Sequence, residues 1–198
     1  MMYRKYPDGI IEVITGPMFA GKSEELIKRI KILGYGKINT LVIKPSIGDR
    51  WSKEKIMSRS GNSAKTVTVK DAIEILDKWD DSFQAVAIDE VQFFDKKIVD
   101  VALNLVNKGV RVMISGLDQD YLTKPFGIMP QLLAIADKVD KLAAVCVVCG
   151  NAASTTFRKS GKKDLIQVGD KEYEARCRKC HQSGMIDKKL LTKTSHFK

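Results

Sequence analysis

Four short runs of apolar, mostly β-branched residues divide the first 140 positions, and helical periods fill the gaps between them. Ile10-Ile11-Glu12-Val13-Ile14-Thr15 is the first run, and Ser23 to Leu33 then sets Leu26, Ile27, Ile30 and Leu33 on one helical face. Asn39 to Lys44 reads as a second buried strand after the Gly34/Gly36 turn, and Gln84 to Glu90 as a third that ends in two acids. Val110 to Ser115 is the fourth. Helices are expected over Asp71–Trp79 with Ile73, Leu76 and Trp79 inward, over Ile98–Val106 with Gly109 as a stop, and over Gln131–Val139. Pro45 to Lys65 is polar and without period, Gly116 to Gly127 reads as a loop, and Asp187 to Lys198 is expected to be poorly ordered. Strands alternating with helices predict an α/β fold, a parallel sheet covered on both faces.

From about Lys141 the pattern changes to short strands around cysteine turns. A chain of 198 residues accommodates one α/β domain, expected over 1–140, and a small appendage over 141–198. No apolar run reaches membrane-spanning length and the N-terminus lacks a signal core, so a cytoplasmic protein without membrane partners is expected. The net charge of +10 is unevenly spread: residues 141–198 carry 13 Lys/Arg against 5 Asp/Glu. Basic charge without interleaved aromatic residues is a weak signal for nucleic acid, and a solvated basic surface is the simpler reading.

Candidate chemistry sharpens this picture at the end of the first strand. Gly16-Pro17-Met18-Phe19-Ala20-Gly21-Lys22-Ser23 spells the phosphate loop G-x-x-x-x-G-K-S between a strand and a helix. Its glycines let backbone N–H groups converge on one small volume. Lys22 adds a mobile charge, and the Ser23 hydroxyl is placed to ligate Mg²⁺. Ligands of open α/β sheets sit at the carboxyl ends of strands, where two further segments fall. Asp89 is placed to hold Mg²⁺ opposite Ser23, while Glu90 is a candidate base for whatever attacks the γ-phosphate. The loop from Gly116 through Tyr121 to Phe126 and Gly127, with Met18, Phe93 and Phe94, is a candidate wall for a flat, apolar pocket. Two acceptors remain open on these residues: a small-molecule hydroxyl, or water in a motor-type ATPase gripping nucleic acid.

All four cysteines lie in the basic third, as Cys146-x-x-Cys149 and Cys177-x-x-Cys180 separated by 27 residues. Two such knuckles complete one tetrahedral Zn²⁺ site, which accounts for both pairs better than disulfides or a redox dithiol. His181 follows Cys180 directly and could substitute as a ligand, but with four thiols available it is expected to be a bystander.

Together these motifs resemble the cytosolic-type (type II) thymidine kinases. The matching segments run from Ile11 to Cys180: Thr15 to Ser23, Ile88 to Phe94, Gly116-Leu117-Asp118 with Lys124 to Gly127, Lys141 to Cys146, Thr156-Phe157-Arg158 and Tyr173. The resemblance implies a RecA-like domain, a small zinc domain and a homotetramer. It also implies ATP-dependent phosphorylation of thymidine at the 5′-hydroxyl, with deoxyuridine a second substrate and thymidine triphosphate an inhibitor. By residue match, Glu90 is the base, with Lys22 and Arg50 as catalytic cations. Thr15, Gly16, Pro17, Phe19, Ala20, Gly21, Lys22, Ser23, Asp89 and Gln92 would serve the ATP side. Met18, Phe93, Leu117, Tyr121, Phe126 and Thr156 would surround the thymine, and main-chain groups near Gln167, Val168, Gly169 and Tyr173 would bond its edge. Two departures stand out. Gly48 occupies a slot where the family has Asp, with Asp49 adjacent to Arg50 instead, so Asp49 is given no catalytic role. Tyr121 replaces a common Phe, which keeps the ring and adds a hydroxyl.

Overall fold

The computed structural model describes residues 8–46, 55–57, 63–160 and 170–194. In chain order its strands are β1 (Ile10–Thr15), β2 (Thr40–Pro45), β3 (Lys55–Met57), β4 (Ser63–Lys65), β5 (Val67–Val69) and β6 (Ala85–Ile88). They continue with β7 (Arg111–Gly116), β8 (Lys138–Lys141), β9 (Ala144–Val145), β10 (Ala152–Ala153), β11 (Thr155–Arg158) and β12 (Tyr173–Arg176). The helices are α1 (Lys22–Tyr35), α2 (Glu74–Asp77), α3 (Lys97–Asn107), α4 (Met129–Ile135) and α5 (Arg178–Thr194). Six strands form one sheet in the order β5-β2-β6-β7-β1-β8, and every pair in it is parallel.

Both faces of this sheet are covered, as a parallel sheet requires. Ile11, Val13, Val86, Ile88, Val112 and Ile114 point to one side. There they pack with Ile98, Val101, Ala102 and Leu105 of α3, spaced i, i+3, i+4, i+7, and with Met129 and Leu132 of α4. Alternate positions, Ile14, Val42, Ala85, Ala87 and Met113, meet Leu26, Ile27 and Leu33 of α1 on the other side. Each of the Val, Leu, Ile and Met side chains taken from water contributes about 1.5–3 kcal/mol, so the two faces together hold the strand ends in register.

Glu12 breaks the apolar pattern of β1 and is 2% exposed. Its carboxylate takes Arg111 at 2.9 Å and Arg29 at 3.5 Å, and Arg29 also meets Glu25 at 3.0 Å and Asp140 at 2.6 Å. A buried charge is tolerated only when paired in this way. Burial works against the Arg29 charge, but its hydrogen bonds to Asp140 and Glu25 hold its pKa above the ordinary value.

Several expected elements differ. The helix expected over Gln131–Val139 ends at Ile135, and Lys138–Lys141 instead becomes edge strand β8, paired with Glu12–Thr15. The Asp71–Trp79 helix shortens to α2; Ile75 and Ala72 face the core and Ile73 is 43% exposed. Within the polar stretch, β3 and β4 pair as an antiparallel ribbon that lays Ile56 on the α1 side. Phe94 is core rather than pocket wall. The chain expected to be disordered from Asp187 continues in α5 to Thr194.

Candidate active site and metal centre

The phosphate loop leaves β1 with Gly16 at φ 137°, and α1 begins after Gly21 at φ 81°. A Cβ at Gly16 would lie 2.3 Å from the Leu142 carbonyl oxygen. The loop is therefore pressed against the chain leaving β8, and only glycine fits there. Lys22 is buried and its Nζ donates to the Pro17 carbonyl at 2.8 Å, so its ammonium rests across the loop it serves. Thr15 Oγ1 donates to the Gly116 carbonyl at 3.0 Å, tying the loop's entry to the end of β7. Phe19 and Ala20 turn outward and pack against the cysteine-bearing cluster of Ala144, Cys146, Ala153 and Ala175.

Asp89 and Glu90 follow β6. Ser23 Oγ donates to Asp89 Oδ2 at 3.1 Å, and Ser115 Oγ at the end of β7 donates to Asp89 Oδ1. A hydroxyl and a carboxylate converging in this way are the hard oxygen donors that Mg²⁺ takes, so the residues fit that ion. Glu90 adopts φ 53°, which swings the chain away from the strand direction. Its carboxylate accepts from Gln92 Nε2 at 2.5 Å, while Gln92 Oε1 accepts from the Leu117 amide at 3.0 Å. Gln92 is thus a bridge from Glu90 to the loop after β7, with its amide turned toward these groups.

That loop is built by its own polar residues. Asp120 accepts the amides of Leu122 at 2.8 Å and Lys124 at 2.9 Å, and the Phe126 amide donates to the Asp118 carbonyl at 3.1 Å. The Asp118 carboxylate pairs with Lys141 at 2.6 Å. The Phe126 ring meets Phe93 edge-on, with centroids 5.8 Å apart. The Tyr121 ring lies under the Arg158 guanidinium at 3.5 Å, and its carbonyl accepts from His181 Nε2 at 2.9 Å. His181 therefore faces this loop and takes no part in the sulfur cluster. From the appendage, Thr156 Oγ1 accepts the Met18 amide at 3.0 Å. Tyr173 pairs across the β11–β12 ladder with Arg158.

The sulfurs of Cys146, Cys149, Cys177 and Cys180 all lie within 4.8 Å of one another, and Cys149 and Cys177 are 3.7 Å apart. Four sulfurs at about 2.3 Å from one ion in a tetrahedron would be roughly 3.8 Å apart, so the donor set fits Zn²⁺. Burial opposes charge on Cys146, but the Cys177, Cys149 and Val148 amides hold its thiol down to about 6. Hydrogen bonding with Cys177 and Cys149 pushes Cys180 up to about 12. Thiols crowded this closely share protons unless a cation replaces them.

Arg50, Gln167, Val168 and Gly169, and the Asp49 departure, lie outside the described residues. Ser115, Asp118 and Lys141 carry contacts that pattern reading missed. For Ser115 and Asp118 the end of the fourth expected strand was the available signal, whereas Lys141 lies at the end of β8, which the spacing did not foresee.

The family model described as thymidine kinase matches residues 9–181 of this chain. A thymidine kinase of Mycoplasma mobile is 58% identical over 184 residues, 92% of each chain. One from Mesomycoplasma hyopneumoniae is 56% identical over 182 residues, 91% of this chain and 99% of its own. The genome packaging NTPase B204 of Sulfolobus turreted icosahedral virus 2 overlays 71% of this chain and 76% of its own, at a TM-score of 0.42 and 21% identity. That last likeness is too distant to bear on chemistry.

Proposed function

The chain belongs to the thymidine kinase family and is a thymidine kinase, and we propose that Glu90 takes the proton of the thymidine 5′-hydroxyl as the γ-phosphoryl group of ATP is transferred. The observation that carries this reading is the Glu90–Gln92–Leu117 chain, which couples the acid to the loop that walls the nucleoside. A base must be aimed before it can work, and Gln92 has its oxygen on one amide and its NH₂ group on the carboxylate. Phosphoryl transfer otherwise needs positioning and charge neutralisation. The loop amides from Phe19 to Ser23 supply this on the phosphate side, Pro17 having no N–H and the Met18 amide being taken by Thr156. Lys22 leaves the Pro17 carbonyl for the phosphates, and Arg50 adds a second cation. Thr15, Asp89 and Gln92 shape that side from behind. Mg²⁺ held by Ser23 and Asp89 would neutralise phosphate charge.

On the acceptor side Met18, Phe93, Leu117, Tyr121, Phe126 and Thr156 enclose the thymine, with Gln167, Val168, Gly169 and Tyr173 at its edge. With one lone pair of the Thr156 hydroxyl taken by Met18, its proton remains to be donated. Cys146, Cys149, Cys177 and Cys180 hold structural Zn²⁺. The metal fixes an appendage, residues 141–198, whose small apolar cluster is not enough by itself, against the P-loop domain of residues 1–140.

The same reading extends to deoxyuridine as second substrate, thymidine triphosphate as inhibitor, a homotetramer and a cytoplasmic setting. No helix among the described residues is long and apolar enough to cross a membrane. An ADP-release assay against a nucleoside panel tests it. Turnover with thymidine and deoxyuridine, suppressed by thymidine triphosphate, is expected. ATP hydrolysis stimulated by single-stranded DNA without any nucleoside would replace this reading with a motor-type ATPase.

A further inference from the structure

Asp89 has a cationic neighbour that no motif includes. β2 and β6 run parallel with Ile43 opposite Ile88, and the Asp89 amide donates to the Ile43 carbonyl at 2.9 Å. Lys44 and Asp89 are therefore the next residues along adjoining strands. Two positions earlier, Val42 and Ala87 both pack in the cluster on the α1 side. Strand side chains return to one face every second residue, so Lys44 and Asp89 emerge together on that side. It is the side on which α1 begins with Lys22 and Ser23, and where Ser23 Oγ reaches Asp89.

Lys44 is half-buried there rather than spread on the surface. Burial pushes its ammonium below the ordinary lysine value, and the Asp89 charge pulls the other way. Adjoining strands lie about 4.8 Å apart, so the register sets the two side chains next to each other on that face, where keeping a charge has a cost. A half-buried lysine at the carboxyl end of β2, an interior strand next to β6, on the phosphate-loop side, is positioned to meet an anion.

We propose that Lys44 is a further catalytic cation of the phosphoryl-transfer site, its ammonium facing the transferred group from the β2 side. This rests on the phosphoryl-transfer reading given above. The charge of the transition state is spread over three equatorial oxygens. Lys22 approaches from the loop, and Lys44 would approach from the neighbouring strand end beside Asp89. Its compact ammonium suits a single oxygen better than a planar fork would.

The test uses the full chain with Lys44→Met and Lys44→Arg. Lys44→Met is expected to lower kcat about 10²-fold, the cost of losing one aimed donor. Its thymidine KM, ADP affinity and melting temperature should stay close to those of the unmodified enzyme, and Lys44→Arg should restore part of the rate. A second arm measures binding of ADP alone and of ADP with aluminium fluoride, a mimic of the transferred group, both with Mg²⁺. The tighter binding brought by aluminium fluoride should disappear in Lys44→Met. A kcat within threefold of the unmodified enzyme, an aluminium fluoride gain that survives, or a matching loss of ADP affinity would overturn the proposal. If the unmodified enzyme fails to phosphorylate thymidine, the thymidine reading falls. The aluminium fluoride arm needs no acceptor and still decides Lys44.

Discussion

Replacing Thr156 by Val keeps the size and β-branching of the side chain and removes one oxygen. That oxygen accepts the Met18 amide at 3.0 Å, at a residue 4% exposed. The donor left behind, the Met18 amide, belongs to a half-buried residue that water can partly reach, so the loss is about 1 kcal/mol, the low end of the range for a buried group. At about 1.4 kcal/mol per tenfold, this corresponds to a factor of roughly 5. The bond joins the middle of the phosphate loop to β11, so the loss should fall chiefly where loop and appendage act together, on the nucleoside. Thymidine KM is expected to rise by about that factor, with ATP KM changed far less. The melting temperature should fall by roughly 2–4 °C for each kcal/mol borne by the free protein. Steady-state kinetics with each substrate varied in turn, beside a thermal melt, separates the two. A thymidine KM within twofold of the unmodified enzyme, at an unchanged melting temperature, would refute the reasoning.

Glu90→Gln should lower kcat by about 10²–10⁴-fold while nucleotide affinity holds; near-normal turnover would exclude Glu90 as the base. Elemental analysis should find one zinc per chain and little in Cys149→Ser, and a metal-free protein purified without chelators would rule out the four-thiolate site. Asp140→Asn should reduce unfolding free energy at pH 7 by about 1 kcal/mol, since Arg29 and Lys138 both use that carboxylate. Burial pushes the Asp140 carboxyl upward, yet Lys138 and Arg29 outweigh it and hold the pKa below the ordinary range. A carboxyl depressed in the folded state stabilises above its unfolded value of about 3.9 and loses that contribution as pH falls through the folded one. The gap between the two proteins in urea unfolding should therefore close as pH falls below about 4. A gap as large at pH 3 as at pH 7 would contradict the pairing.

Periodicity and motif made the catalytic half legible because each signal was local. Leu26, Ile27 and Leu33 lie on the buried face of α1 as spaced, and Gly16 and Gly21 adopt the positive φ the loop needs. Asp89 meets Ser23 for the same reason, since a strand end beside a phosphate loop has one natural use. The misread segments were decided by distant partners. Lys138–Lys141 has helix-compatible spacing, but the open edge of β1 captures it, with the Asp137 carboxylate accepting the Ile11 amide at 2.8 Å. The stretch from Asp187, expected to be poorly ordered, belongs to α5 as far as Thr194. Lys188 of this helix donates to the Arg158 and Ser160 carbonyls, and its Gly184 lies so close to Phe157 that an added Cβ would be 2.8 Å from that ring. Lys44 escaped notice because a lysine ending a strand looks like a solvated edge until the register places Asp89 beside it.

The position of β1 has a consequence for how the chain is made. This first strand sits inside the sheet, between β7 and β8, with Ile10 opposite Arg111 and Glu12 opposite Lys138. Its neighbours leave the ribosome about 100 (β7) and about 125 (β8) residues later, which at 5–20 residues per second is a wait of roughly 5–25 s. Through that interval an apolar strand has neither flank covered, and the cysteine knuckles that steady the phosphate loop are later still. The newborn chain is thus most exposed to sticking at the segment that will bind nucleotide.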